Sequence, residues 1–195
     1  MPTYPPLYIL RHGQTDWNLA GRCQGHLNSG LTGLGREQAR NQGEILGPLL
    51  RTEPDMRVVC SPQGRARDTA EIALAGQDIS VEFDPRVAEL GAGLWTGMAH
   101  DEITARWPAL FNDTLPIFEA SLNAVGGEGY DALRARCEGF LADVTKPTVV
   151  ISHGITCMML RGLVCGLSYA ETARLHFTQG CVFALIGGKE HILTR

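Results

Sequence analysis

Five short runs of apolar or β-branched residues recur along the chain, at 7–10, 58–60, 79–83, 148–151 and 181–186, each bounded by turn or polar residues. Runs of this length, apolar toward both faces, predict strands that are covered on both sides. Between them the apolar period lengthens. Residues 33–50 carry Leu34, Ala39, Leu46 and Leu50 at helical spacing, and 130–144 do the same with Leu133, Cys137, Phe140, Leu141 and Val144. Residues 155–163 predict a further apolar helix, and Ser61-Pro62, an N-cap residue followed by proline at the first helical position, predicts a helix over 62–75. Strands alternating with helices predict an α/β fold: a three-layer sandwich with a mostly parallel central sheet and helices on both faces. Residues 85–128 break the rhythm with Gly91, Gly93, Gly97, Pro108, Pro116 and Gly126-Gly127. An irregular stretch of that length inside a compact chain predicts a lid or specificity segment, centred on 98–128.

Two of the strands end alike. Residues 7–10 run into Arg11-His12-Gly13, and 148–151 run into Ser152-His153-Gly154. In open α/β sheets the ligand crevice lies beyond the carboxyl ends of the strands. If the two strands are neighbours, His12 and His153 face each other over one site, and the glycines let the backbone turn and approach a ligand closely. The 58–60 strand also leads into a helix whose first turn holds Arg65, with Arg67 an equal candidate on position alone. A helix start already offers free N–H groups and positive dipole to an anion. Two Arg, two His and a helix N-terminus make an anion clamp, and a guanidinium fork matches phosphate geometry. A neutral imidazole in such a clamp can be a nucleophile. A leaving oxygen then needs a proton donor, for which Glu89 is the candidate and Glu82, Asp84, Asp101 and Glu102 compete.

Composition narrows the partners. A chain of 195 residues predicts one domain, 1–195, with a sizeable core. The net charge of −4 gives no basic field for nucleic acid or an anionic membrane, so a bound anion needs a local cationic cluster. All but two of the 17 basic residues, Lys146 and Lys189, are Arg. The N-terminus lacks the charged region and cleavage site of a signal peptide, and no uninterrupted run reaches about 18 apolar residues, so a soluble, cytoplasmic protein is expected. Cysteines 23, 60, 137, 157, 165 and 181 form no C-x-x-C pair and are expected to be reduced. No H-E-x-x-H motif or clustered His/Cys spacing suggests a metal.

Taken together, these pieces resemble the histidine phosphatase superfamily, also called the phosphoglycerate mutase-like family. LYILRHGQTDWN resembles its signature. Arg22-Cys23-Gln24-Gly25 through Leu31-Thr32-Gly33-Leu34-Gly35 follows, then S-P-x-x-R-A-x-x-T-A from Ser61 to Ala70. Glu89, Gly93, Trp95 and Gly97 form E-x-x-x-G-x-W-x-G, followed by G-G-E at 126–128 and S-H-G at 152–154. The resemblance spans essentially the whole chain. It implies a metal-independent, cofactor-free phosphatase with His12 as nucleophile and Arg11, Arg65 and His153 binding the phosphoryl group, which decides for Arg65 over Arg67. It further implies that Glu89 protonates the leaving group, that Asn18 adds a phosphate hydrogen bond, and that Arg22 and Gln24 line the substrate side, with Gly154 beside them. A cationic His153 and a basic His12 are a plausible division of labour.

The chain departs from the family pattern at Asn28 and Gly30, where an acidic residue and a proline are common, with loop rigidity the expected consequence. It departs again at Gly129, where serine is common. Its length resembles the shorter phosphatase branch rather than the mutases, so hydrolysis of a small phosphorylated metabolite is expected; a mutase-type transfer and a catalytically silent phosphate-binding domain are the alternatives. Trp107, Phe111 and Phe118 are expected either in a helical core or, if they face the site, against an apolar leaving group. Oligomeric state is not legible.

Overall fold

The computed structural model describes residues 4–195; the first three residues of the N-terminal stretch read above lie outside it. Six strands form one sheet: β1 (Leu7–Arg11), β2 (Arg57–Cys60), β3 (Val81–Phe83), β4 (Thr148–Ser152), β5 (Val182–Ile186) and β6 (Lys189–Leu193). Their order is β3-β2-β4-β1-β5-β6; the first four pair in parallel, β5 pairs antiparallel with β1, and β6 pairs antiparallel with β5. Among the described residues eight α-helices accompany them: α1 (Asp16–Leu19), α2 (Gly33–Thr52), α3 (Gly64–Ala73), α4 (His100–Arg106), α5 (Ile117–Leu122), α6 (Gly129–Ala142), α7 (Gly154–Cys165) and α8 (Tyr169–Thr172).

The period of two along β1 feeds both layers. Leu7 and Ile9 join Leu133 and Phe140 of α6 and Met158 and Leu160 of α7, whereas Tyr8 and Leu10 join Leu46 of α2 and Ala66 and Ala70 of α3. All five β4 residues are buried. The three-layer α/β sandwich with a mostly parallel sheet is therefore the observed architecture. A third, smaller cluster of Ala92, Trp95, Ile103 and Ala124 lies within the segment between β3 and α6, with Cys23, Met98, Trp107, Leu110 and Phe111 packed against it. That segment is less irregular than its glycines and prolines suggest, since it holds two 3₁₀ turns, α4 and α5.

Three elements differ from the sequence expectation, each for a physical reason. The 79–83 strand shortens to three residues and is not covered on both sides, because β3 is a sheet edge; Glu82 and Phe83 are exposed, and Glu82 pairs with Arg57 at 2.8 Å. Strand β6 carries no apolar run. It exists because Gly187 and Gly188, both at positive φ, turn β5 back on itself, and pairing with β5 supplies its backbone partners. Helix α3 starts two residues later than Ser61-Pro62 predicts: its N-cap is Gln63, without a side-chain cap bond, and the Ser61 hydroxyl accepts from the Gln63 amide at 3.3 Å while also bonding His153 at 2.7 Å. Leu34 was expected on the buried face of α2 but is 50% exposed, because Gly35 is the residue that packs against Gly13 and Gln14 just after β1.

Candidate active site

The twin strand ends are adjacent. Parallel register pairs Arg11 of β1 with Ser152 of β4, and the His12 amide donates to the Ser152 carbonyl at 2.9 Å. The next residue on each strand is a histidine, so the two rings meet with centroids 5.2 Å apart. Gly13 is needed for space rather than for an unusual φ: a side chain there would collide with the backbone of Gly35, and one on Gly35 would collide with Gln14. The two glycines let α2 close against the end of β1.

His12 is 2% exposed, and its Nδ1 lies 2.7 Å from its neighbour's carbonyl, that of Gly13. A carbonyl only accepts, so Nδ1 carries the proton and Nε2 keeps its lone pair. That Nε2 accepts from Arg65 Nε at 3.2 Å. Burial first, then the charges of Arg65 and Arg11, push the His12 pKa well below the ordinary histidine value. The side chain is thus a neutral imidazole whose unprotonated nitrogen points into a cationic site and accepts from Arg65.

Arg65 is 1% exposed, and two loop carbonyls hold it: Nη1 donates to Leu27 at 2.6 Å and Nη2 to Gly25 at 3.0 Å. Burial lowers its pKa to about 10, which leaves it charged at neutral pH. Arg67 instead lies over the Phe83 ring, 4.9 Å from its centroid, whereas Arg65 lines the cavity. Arg11 donates from Nη1 to the Phe177 carbonyl at 2.7 Å and lies over the Phe177 ring, while its buried Nε has no partner among the described residues. His153 bonds through Nε2 to the Ser61 hydroxyl at 2.7 Å, and its Nδ1 has no partner among the described residues. Burial, followed by Arg65, His12 and Arg11, lowers its pKa well below the usual value too. The division into a cationic His153 and a basic His12 is therefore not favoured here: burial first, and then the charge of Arg65, disfavour the cationic form of both rings.

Glu89 alone among the candidate carboxylates lines the cavity over these residues. Glu82 is at the sheet edge with Arg57, Asp84 caps a 3₁₀ turn and pairs with Arg86, and Glu102 caps the start of α4. The Glu89 carboxylate accepts from the amides of Ile155 at 3.3 Å and Thr156 at 3.2 Å, in the first turn of α7. It takes the place of a side-chain cap that His153, the N-cap residue, does not provide. Its own amide donates to Gln63 Oε1 at 2.7 Å. The loop is also braced from behind. Glu128 accepts from the Gly91 amide at 3.2 Å and pairs with Arg136 at 2.5 Å, and the Thr156 hydroxyl donates to the Ala88 carbonyl at 2.7 Å.

The cavity is about 360 Å³, and Asn18, Arg22, Gln24 and Gly154 all line it. Asn18 is the third residue of a capping box on α1, with its Oδ1 accepting from the Thr15 amide at 3.2 Å and from Gln179 Nε2 at 3.3 Å. Arg22 donates to the Gly97 carbonyl and lies over the Trp17 ring. Gln24 is buried and accepts from the Ser29 hydroxyl at 3.1 Å. Of the three aromatic residues in question, Phe118 is fully buried in the main core, Trp107 packs on Trp95, and only Phe111 reaches the cavity. Asn28 does more than alter loop rigidity: its Oδ1 accepts from the Arg65 amide at 2.7 Å and so anchors the start of α3. Gly129 begins α6 at positive φ and does not line the cavity.

Ser61, Gln63, Thr156, Phe177 and Gln179 were not singled out from the sequence as site residues. Ser61 and Gln63 stand in the same S-P-x-x-R-A motif as Arg65 and could have been suspected there. Phe177 and Gln179 follow α8 in a stretch without periodicity and carry no such signal. Among the described residues no group of three His, Cys, Asp or Glu side chains could hold a metal ion. No helix among them is long and apolar enough to cross a membrane. All six cysteines are free.

The Adenosylcobalamin/alpha-ribazole phosphatase of Salmonella typhimurium is 30% identical, covering 92% of this chain and 89% of that one. The Glucosyl-3-phosphoglycerate phosphatase of Mycobacterium tuberculosis is 33% identical over 84% of this chain and 74% of that one. The solved structure of Bacillus stearothermophilus YhfR superposes with a TM-score of 0.80 at 27% identity, covering 98% of this chain and 96% of that one. The profile of the histidine phosphatase superfamily (branch 1) matches residues 7–192. With the match running from β1 to β6 and through every strand end that builds the site, the chain belongs to the histidine phosphatase superfamily.

Proposed function

We propose that the chain hydrolyses phosphomonoesters of small metabolites in two phosphoryl transfers through His12. The observation that carries this reading is the state of His12: Nδ1 is tied to the Gly13 carbonyl at 2.7 Å, so the unprotonated Nε2 is the nitrogen that attacks, once a phosphoryl oxygen takes over the Arg65 Nε donor that now bonds it at 3.2 Å. In the first transfer Nε2 forms a bond to phosphorus as the ester P–O bond breaks, and Glu89 gives its proton to the departing oxygen. In the second, water attacks the phosphohistidine, Glu89 takes the proton back, the P–N bond breaks and inorganic phosphate leaves. Arg11, Arg65 and His153 hold the equatorial oxygens, where the charge resides, and fixed donors of this kind supply most of the catalysis in phosphoryl transfer. Asn18 adds a donor at the edge of that clamp, while Arg22, Gln24 and Gly154 form the substrate wall. Residues 98–128 act as the specificity segment of a single domain, supported by the cavity positions of His100, Phe111, Ile117 and Ser121. No step requires a metal.

The test is hydrolysis of p-nitrophenyl phosphate in excess EDTA by wild type, His12→Ala and Glu89→Gln. The expected result is a wild-type rate that vanishes in His12→Ala and falls about 10²–10⁴-fold in Glu89→Gln. Equal rates in wild type and His12→Ala would refute the assignment. Wild-type transfer of phosphate between positions of a substrate without its release would identify a mutase.

A further inference from the structure

We propose that the cavity wall beyond the phosphate clamp is a subsite for a neutral, ring-bearing leaving group, so that esters of aryl or arylalkyl alcohols are preferred over bisphosphates and phosphorylated acids. This rests on the hydrolytic reading above and specifies its substrate class.

The wall is built by Trp17, Leu90, Trp95, Phe111 and Ile117, drawn from α1, the Glu89 loop and the 98–128 segment. It is fixed before any ligand arrives. Trp95 is 1% exposed, packs edge-to-face on Phe111 at 5.5 Å and is backed by Trp107 at 6.0 Å. Rigid aromatic walls of this kind bury flat apolar groups at little ordering cost.

Charge argues the same way. Outside the clamp residues Arg11 and Arg65, the one cation lining the cavity among the described residues is Arg22, and its guanidinium already donates to the Gly97 carbonyl and stacks over Trp17. No lysine lines the cavity. His100 stacks on Phe111 with centroids 5.2 Å apart, and its loss of hydration there lowers its pKa, so it offers no cation at neutral pH. A second phosphate or a carboxylate on the substrate would shed its water against aromatic rings and meet only Arg22, a guanidinium already bonded to Gly97 and lying over Trp17, an unfavourable exchange. A ring would shed water from apolar surface only, which favours binding.

The experiment compares kcat/KM for 2-phenylethyl phosphate and 3-phosphoglycerate in EDTA at pH 7. Both release a primary alcohol, so leaving-group reactivity does not decide the ratio. The expected ratio is at least tenfold in favour of the phenylethyl ester, and Phe111→Ala lowers that ratio roughly tenfold. Because Phe111→Ala could loosen the small cluster around Trp95, Ser121→Arg is the second variant. It places a free cation on the wall and shifts the ratio toward 3-phosphoglycerate. A wild-type ratio at or below one, or equal losses on both esters in Phe111→Ala with no shift in Ser121→Arg, overturns the subsite. Absence of turnover with both esters and with p-nitrophenyl phosphate overturns the hydrolytic reading itself.

Discussion

Arg65 does three things with one side chain. Its Nε meets His12, and its two terminal nitrogens bind the carbonyls of Leu27 and Gly25, so the guanidinium joins His12 to the loop at residues 25–27. Lysine keeps the charge but is a point donor on a flexible stem and cannot reproduce three directions at once. In Arg65→Lys we expect kcat/KM on p-nitrophenyl phosphate to fall about 10²–10³-fold, the scale seen when one preorganised oxyanion donor is removed. A loss below fivefold, measured on folded protein, would show that charge alone suffices. Asn28, which anchors the Arg65 amide, illustrates the limit of reading single residues. Its type departs from the family pattern, yet only the fold reveals that it holds the helix carrying Arg65.

At the scale of elements, Glu89 and α7 depend on each other. The carboxylate satisfies two of the free amides at the start of α7, and those amides hold the carboxylate over the phosphate clamp. The brace behind it, Glu128 with Arg136, is mostly buried and fixes the Gly91 end of the same loop. Two substitutions separate the cap from the chemistry. Glu89→Gln retains an acceptor for the amides, whereas Glu89→Ala leaves them bare. Both should lose activity, but Glu89→Ala should be less stable than Glu89→Gln by about 1 kcal/mol in urea unfolding, the usual value of a helix cap. Equal stability would mean that the helix start is satisfied without Glu89.

For the whole molecule, burying two histidines among arginines makes stability depend on pH. The folded-state pKa values of His12 and His153 lie well below the ordinary value, mainly because of burial and then because of Arg65. As the pH drops through about 6.5 the unfolded chain gains protons on these residues and the folded chain does not. The unfolded state then binds more protons, so stability is greatest above that pH and falls as the pH falls, by up to ~1.4 kcal/mol per pH unit for each histidine. Thermal melts between pH 7.5 and 5.5 should show a declining Tm, and His153→Gln should flatten the decline. A Tm that holds steady or rises over that range would contradict the buried neutral state of both rings.

The linear order of residues by itself determined the layered α/β architecture and the identity of the site. Strands 7–10, 58–60 and 148–151 are apolar enough to demand cover on both faces, and a helix of period 3.6 follows each of them or its loop. The residues that end those strands, Arg11, His12, Ser152, His153 and Arg65 in the turn beyond, are local in sequence and so could be read directly. Tertiary structure alone decided the rest. Whether β1 and β4 are neighbours, which brings the imidazoles to 5.2 Å, depends on packing order and not on either strand's composition. The protonation of both histidines is set by surroundings drawn from distant segments, and the Glu89 carboxylate finds its amides more than sixty residues away. Strand β6 and the short β3 show the same principle at the sheet edges, where pairing and exposure, rather than hydrophobic pattern, define the element. Propensity and pattern are properties of neighbours along the chain; hydrogen-bond partners, burial and pKa are properties of neighbours in space.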